Sequence, residues 1–473
     1  MYEFISTLIE SISNFMYSYL LIILLLAVGL YFTFRTKFVQ FRMLGESIHL
    51  VTEKSDNKDS VSAFQALMVS TASRVGTGNI VGVANAIAIG GYGAVFWMWI
   101  IAIVGGASAF IESTLAQIYK KKDANGDSYG GPSYYIEAAL HSRWLGIVFS
   151  VALIATYAIG FNMLCSYNLV TSLSGYKFYG DPATTHVPMI CGAVLAILVG
   201  ICVLGGGKRI VKVTGVLVPV MGVTYILMAL FTMILNIETL PMVFKNIFVS
   251  AFDFKAIFGG FAGSAMMQGI KRGLYSNEAG VGSAPNAAAA ANVSHPVKQG
   301  LVQMLSVFID TILICTATAM MCLSSGITPS AELTGAPFVQ TALASTFGQF
   351  GPYFITCSLL LFAFTTLLGN LFYCEGCLNY IANRTLSKKA LNIFRIVACV
   401  VVFFGSLLDF SLVWNLSDVL MGIMALINLP VIVILGKHAL NALDDYIAQR
   451  KQGKSPVFKA SSIGITDKTD FWN

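Results

Sequence analysis

Eleven stretches of this chain are long, nearly uninterrupted apolar runs. They lie near residues 15–34, 62–88, 93–119, 144–172, 187–205, 212–235, 256–290, 297–323, 351–380, 391–408 and 412–436. About 20 mostly apolar residues in a helix cross the hydrocarbon core of a bilayer. Lipid offers no partner to a free peptide group, so single strands or loops do not cross it. The pattern predicts an all-α membrane protein with eleven transmembrane helices: a leader span followed by spans one to ten. Composition agrees. Only 11% of the 473 residues are charged, against about 25% in soluble proteins. That is too little polar surface to coat a globule, so the lipid bilayer is the second solvent.

Loop charges set the orientation. Of the 29 Lys and Arg residues, 25 fall in one alternate set of loops, Lys271 and Arg272 among them. Lys177, Lys245 and Lys255 make up the other set, and Arg74 lies inside a span. Basic loops stay in the cytoplasm, so the N-terminus is expected outside and the C-terminus inside a cell membrane. The leader begins MYEFISTLIESISNF without Lys or Arg, so it reads as a retained span rather than a cleaved signal. The net charge of +6 is scattered in short loop patches and gives no nucleic-acid face. The expected organisation is a leader and basic loop over 1–61, five spans over 62–235, five more over 236–436, and a polar, partly disordered tail over 437–473.

Two spans are unusual. Span one contains SRVGTGNIVG at 73–82, and span six contains FGGFAGSAMMQG at 258–269. Glycine at this density loosens a helix. It also permits tight helix packing. Each segment opens a block of five spans, however, and interrupted spans in matching positions mark a transporter's binding site. An unwound turn suits that task. Its freed N–H groups attract a carboxylate, and its freed carbonyls attract a cation. Thr77, Asn79, Thr365 and Thr366 add side-chain oxygens, although hydroxyls in spans also serve as glue between helices.

Nothing in the chain forms a catalytic set. The five histidines, His49, His141, His186, His295 and His438, lack metal-ligand spacing on one helix. Cys374 and Cys377 form a lone C-x-x-C inside a span, a weak signal without a second pair. LGGGKRI at 204–210 lacks the phosphate-loop pattern. No nucleotide-binding domain follows the spans, so an ion gradient is the expected driving force. An ion channel remains an alternative, though channels usually build a ring of filter groups from several subunits.

GGYGAVFWMWIIAIVG at 90–105 resembles the signature of the alanine/glycine:cation symporter family. VGTGNIVGVANAI at 75–87, YGGPSYYIE at 129–137, KRGLYSNEAGVGSAP at 271–285, HPVKQG at 295–300 and FIDTILICTATA at 308–319 are also similar to that family's pattern. The resemblance implies the amino-acid–polyamine–cation fold, with two inverted five-helix repeats and broken spans one and six. It implies co-transport of sodium ion with a small neutral amino acid, with proton coupling as the rival.

It further implies a substrate site at Thr77, Gly78, Asn79 and Gly263. A sodium site is implied between Ala72, Val75, Thr365 and Thr366, with Asp310 as a possible ion ligand. Two positions depart from the family's small-amino-acid carriers. Cys165 stands for an expected Gln and Asn370 for an expected Trp, so the pocket is expected to admit side chains longer than a methyl, glutamine included. Arg74, a cation inside a span, is expected to pair with Glu375 as a cytoplasmic gate.

Overall fold

The computed structural model describes residues 2–53, 61–122, 126–181, 184–252, 264–408, 410–465 and 469–472. Seven helices among these residues are long and apolar enough to cross a membrane. They are Phe4–Arg35, Gly93–Ile118, Arg143–Thr171, Gly207–Leu235, Pro296–Leu323, Phe350–Ala382 and Ser411–Lys451. They correspond to the leader and spans two, three, five, seven, eight and ten. The other four predicted spans are helical where described, but short, interrupted or, in span nine, more highly charged. Span one is Ala63–Arg74 and Gly78–Gly90, and span four is Val187–Val203. Span six is Ala265–Asn277 and Pro285–Ala290, and span nine is Lys388–Gly405.

Span two sits at the centre. Its small residues let neighbours approach closely, which is how helices associate where lipid removes the hydrophobic drive. Ala102 and Ala109 pack with Ala279 of the span-six turn and Val307 of span seven. Span five lies at the rim, with Val216, Val220, Val223, Leu227 and Ile234 exposed along it. Such a continuous apolar surface fits lipid rather than water. The leader packs on span ten, where the Tyr17 hydroxyl donates to the Asp418 carbonyl at 3.1 Å.

One expectation changes here. The tail is not loose where it is described. Helix continues to Lys451, and Phe458, Ile463, Ile465 and Trp472 are all buried. A few large apolar side chains suffice to dock a segment whose average composition is polar. The expected break in span six, at 258–269, lies outside the described residues as far as residue 263, and Ala265–Asn277 is regular helix. The chain leaves helical form later, at Glu278–Ala284, where Glu278, Gly280 and Gly282 have φ of 54°, 81° and 90°. Glycine occupies that left-handed region without the clash a Cβ brings.

Candidate functional site

Span one opens with a capping box. The Ser62 hydroxyl accepts from Gln65 N at 3.1 Å, and Gln65 Oε1 accepts from Ser62 N at 2.9 Å. The helix stops at Arg74, as Val75 turns to ψ 83°. It resumes as a π-turn over Gly78–Gly82, a form often found at functional sites. Asn79 staples the turn shut by accepting from Gly76 N at 2.8 Å.

From this turn, groups fan out to four neighbouring spans. Towards span three, the Thr77 hydroxyl accepts from Asn168 Nδ2 at 2.9 Å and lies 3.9 Å from Cys165 Sγ. Towards spans six and seven, Asn79 Nδ2 donates to Ser276 Oγ at 2.9 Å and Asp310 Oδ1 at 2.7 Å. Towards span eight, the Ala72 carbonyl accepts from Thr366 Oγ1 at 3.1 Å. Gly76 faces Thr366 so closely that a Cβ would overlap the hydroxyl.

The two threonines differ. Thr365 Oγ1 bonds the Leu361 and Phe362 carbonyls of its own helix at 3.0 and 3.2 Å, with Met221 Sδ at 3.4 Å. Only Thr366 reaches span one directly. One turn further along span eight, Asn370 accepts from Ser73 Oγ at 2.8 Å and donates to Asn162 Oδ1 at 3.0 Å. Asn162 and Cys165 are one turn apart on span three, so Cys165 and Asn370 meet the same face of that helix.

Over the turn lies a stack of rings. Tyr275 sits against Gly78, with no room for a Cβ between them. Its centroid is 4.9 Å from Phe161 and 5.2 Å from Trp414. Arg272 lies 4.3 Å from the Trp414 centroid and makes two bonds of 3.1 Å to the Asp418 carboxylate. Lys271 Nζ is 2.9 Å from the same carboxylate. These two cations were expected in a cytoplasmic loop. They instead form a buried cluster with span ten.

The break in span six is held from outside itself. Glu112 Oε1 accepts from Gly280 N at 3.2 Å, and Asn428 Nδ2 donates to the Gly280 carbonyl at 3.0 Å and to Glu112 Oε2 at 2.8 Å. Ser283 donates to Glu278 Oε2 at 2.6 Å. Gly263 lies outside the described residues.

Residues 2–460 match the family model of the sodium:alanine symporter family. The chain belongs to the sodium:alanine symporter family. It is a cation-coupled amino-acid transporter of the membrane, not an enzyme. Among similar proteins, the amino-acid carrier protein AlsT of Bacillus subtilis is 46% identical over 100% of this chain and 98% of its own length. The probable sodium/glutamine symporter GlnT of the same organism is 45% identical over 100% and 97%. The sodium/alanine symporter AgcS of Methanococcus maripaludis is 39% identical over 92% and 95%. The crystal structure of MhsT in complex with L-phenylalanine superposes with a TM-score of 0.58 at 16% identity, covering 82% of this chain and 92% of that one. At that identity the likeness shows a shared fold.

In this symporter the structure brings Ala72, Val75, Thr77, Gly78, Asn79, Cys165, Asp310, Thr366 and Asn370 around one turn. It does not join the expected gate. Glu375 pairs with Arg395, Oε1 to Nε at 2.7 Å. Arg74 is 2% exposed and donates to the Gln303 carbonyl at 3.3 Å, without an ion pair among the described residues. Matching depth along two helices does not fix which faces meet, and Glu375 faces span nine. Glu112, Asn168, Ser276, Glu278, Asp418 and Asn428 escaped the sequence reading. Each has its main partner on another helix or across a turn, and only the i, i+3, i+6 spacing of Asn162, Cys165 and Asn168 gave a local signal.

A double-mutant cycle distinguishes the two pairings. Glu375→Gln with Arg395→Gln is expected to show a coupling of about 0.5–3 kcal/mol in stability. Glu375→Gln with Arg74→Gln should be additive within about 0.5 kcal/mol. Coupling in the second cycle and none in the first would restore the gate.

Proposed function

We propose that this chain is a secondary active symporter that couples sodium influx to uptake of a small neutral amino acid of the alanine or glycine class. It works by alternating access, with the eleven-span, two-repeat layout and the N-terminus outside. The observation that carries the sodium assignment is the Thr366 hydroxyl bonded to the Ala72 carbonyl across two helices, beside the open turn. Two oxygens so placed would share one small cation, with the Val75 carbonyl beside them and Thr365, whose hydroxyl bonds within its own helix, contributing less. The substrate is held at Thr77, Gly78, Asn79 and Gly263, its carboxylate at the N-terminal end of the second half of span one. Asp310 accepts from Asn79, Ser276 and Thr311. Its part is to position Asn79 rather than to bind the ion.

The driving force is adequate. One charge moving through about 100 mV releases about 2.3 kcal/mol, and a tenfold sodium gradient adds about 1.4 kcal/mol. One-to-one coupling then sustains roughly 500-fold accumulation.

A second substrate reading, glutamine, is favoured by Cys165 and Asn370. Both are short, and Asn370 of span eight bonds Asn162 one turn from Cys165 on span three. Relatives named for alanine and for glutamine stand at similar identity, so the pocket decides. The test is uptake of labelled amino acids into proteoliposomes at fixed voltage, with sodium or proton gradients applied separately. Saturable, counterflow-capable alanine uptake that needs sodium is expected. Uptake driven by protons alone, or an unsaturable conductance, overturns the reading. In the same assay Asn370→Trp should cost glutamine at least tenfold more than alanine. Equal losses would show that Asn370 does not set pocket size.

A further inference from the structure

The segment after span ten makes a ring of contacts around one end of the bundle, the cytoplasmic end on the reading above. Phe458 N donates to the Ser294 carbonyl at 3.0 Å, and the Ser294 hydroxyl donates to Pro456 O at 2.9 Å. Both bonds grip the connection between spans six and seven. Trp472 Nε1 donates to the Gln117 carbonyl at 2.8 Å, at the end of span two. Its ring lies 5.5 Å from Phe458, and its carbonyl accepts from Ala460 N at 2.8 Å. Lys120 lies beneath this fold, 4.6 Å from the Phe471 centroid and 4.9 Å from that of Trp472. Burial there pushes the Lys120 ammonium down to about 7.

These contacts converge on Ala291. Its carbonyl accepts from Lys120 Nζ at 3.0 Å and Gln117 Nε2 at 2.9 Å. Ala291 also bridges Val61, and Asn292 N donates to the Val61 carbonyl at 2.9 Å. Val61 immediately precedes Ser62, the cap of the first half of span one. The C-terminal segment therefore holds the 291–294 connection, and that connection holds the foot of the half-helix Ala63–Arg74. The break after Arg74 uncouples this half-helix from its continuation. What keeps it in place is its packing and its foot.

We propose that the C-terminal residues around Phe458 and Trp472 are a strap that keeps the inner half of span one closed, and that the strap must lift for the transporter to open to the cytoplasm. The proposal rests on the alternating-access reading. Its fastening is suited to release. It uses a small patch of buried apolar side chains (Phe458, Ile463, Ile465 and Trp472), a few main-chain bonds and an ion pair open to water, Lys121 with Asp470 at 3.5 Å. Exposed pairs contribute little, and a segment held by a small apolar patch opens locally at lower cost than the bundle it covers.

Two experiments on the full chain test it. Spin labels at Phe64→Cys and Thr385→Cys, with the exposed Cys357 replaced by Ser, report the distance between the foot of span one and the end of span eight. Trp472→Ala, and truncation after Lys451, are each expected at least to double the long-distance population. A monodisperse Trp472→Ala protein with the parent distance distribution would overturn the strap. This readout needs neither sodium nor substrate, so it stands or falls apart from the coupling reading. In the second experiment, Ser294→Cys and Val457→Cys are joined by oxidation. Uptake should fall at least tenfold and return with reductant. Undiminished uptake by the cross-linked protein would show that the strap need not lift.

Discussion

Thr366→Val is expected to raise the sodium concentration for half-maximal uptake at least tenfold. The substitution keeps the β-branched shape and removes one oxygen. That oxygen bonds the Ala72 carbonyl across the interface of spans one and eight, and the adjacent Gly76 leaves no space for a substitute atom. A hydrogen bond or dipolar contact to a charged group contributes about 1.5–3 kcal/mol, which is roughly 10- to 100-fold in affinity. Thr365→Val should shift the value less than about threefold by the same conversion, because its hydroxyl turns to its own helix and does not reach span one. The double variant should then resemble Thr366→Val. Thr366→Ser, which keeps the oxygen, should stay near the parent protein. Sodium titration of initial uptake rates checks this, alongside a melting measurement to separate binding from damage. An unchanged sodium requirement in folded Thr366→Val would remove Thr366 from the site.

Span one was readable because its signal is local. Glycine, threonine and asparagine sit within a few residues, and the structure uses them where they stand: the helix ends at Arg74 and Asn79 closes the turn. Span six compares only in part, because its glycines at 259, 260 and 263 lie outside the described residues. Its described break falls where Glu112 and Asn428, on two other helices, supply bonds to Gly280. The glycines at 280 and 282 were visible in the sequence, but the partners that make a break worthwhile were not. Lys271 and Arg272 failed for a related reason. Charge counting treats every lysine or arginine near a span end as a loop residue, and it has no means of seeing a carboxylate 146 residues away. The tail shows the limit of composition. Its average polarity is real, yet Phe458 and Trp472 decide where it lies.

The cluster of Lys271, Arg272 and Asp418 should give the largest stability effect. One carboxylate, 0% exposed in its side chain, faces two cations that are 5% and 9% exposed. Removing it leaves both cations buried without a counter-charge, and breaking such a pair costs about 3–5 kcal/mol. Asp418→Asn is therefore expected to lower the melting temperature by about 3–5 °C. Asn keeps the shape, so the loss reports charge rather than packing. The triple variant Lys271→Met, Arg272→Met, Asp418→Leu should recover much of that stability, since no uncompensated charge remains. Transport should not return with it. Arg272 lies on Trp414, Trp414 on Tyr275, and Tyr275 over Gly78, so the ion pair fixes the roof above the span-one turn. Leucine and methionine would fill the volume but would not hold the guanidinium flat on the indole. A raised KM with restored melting temperature is the expected signature. An Asp418→Asn protein melting within about 2 °C of the parent would mean that Arg272 and Lys271 find water or another partner, and the roof would then need a different support.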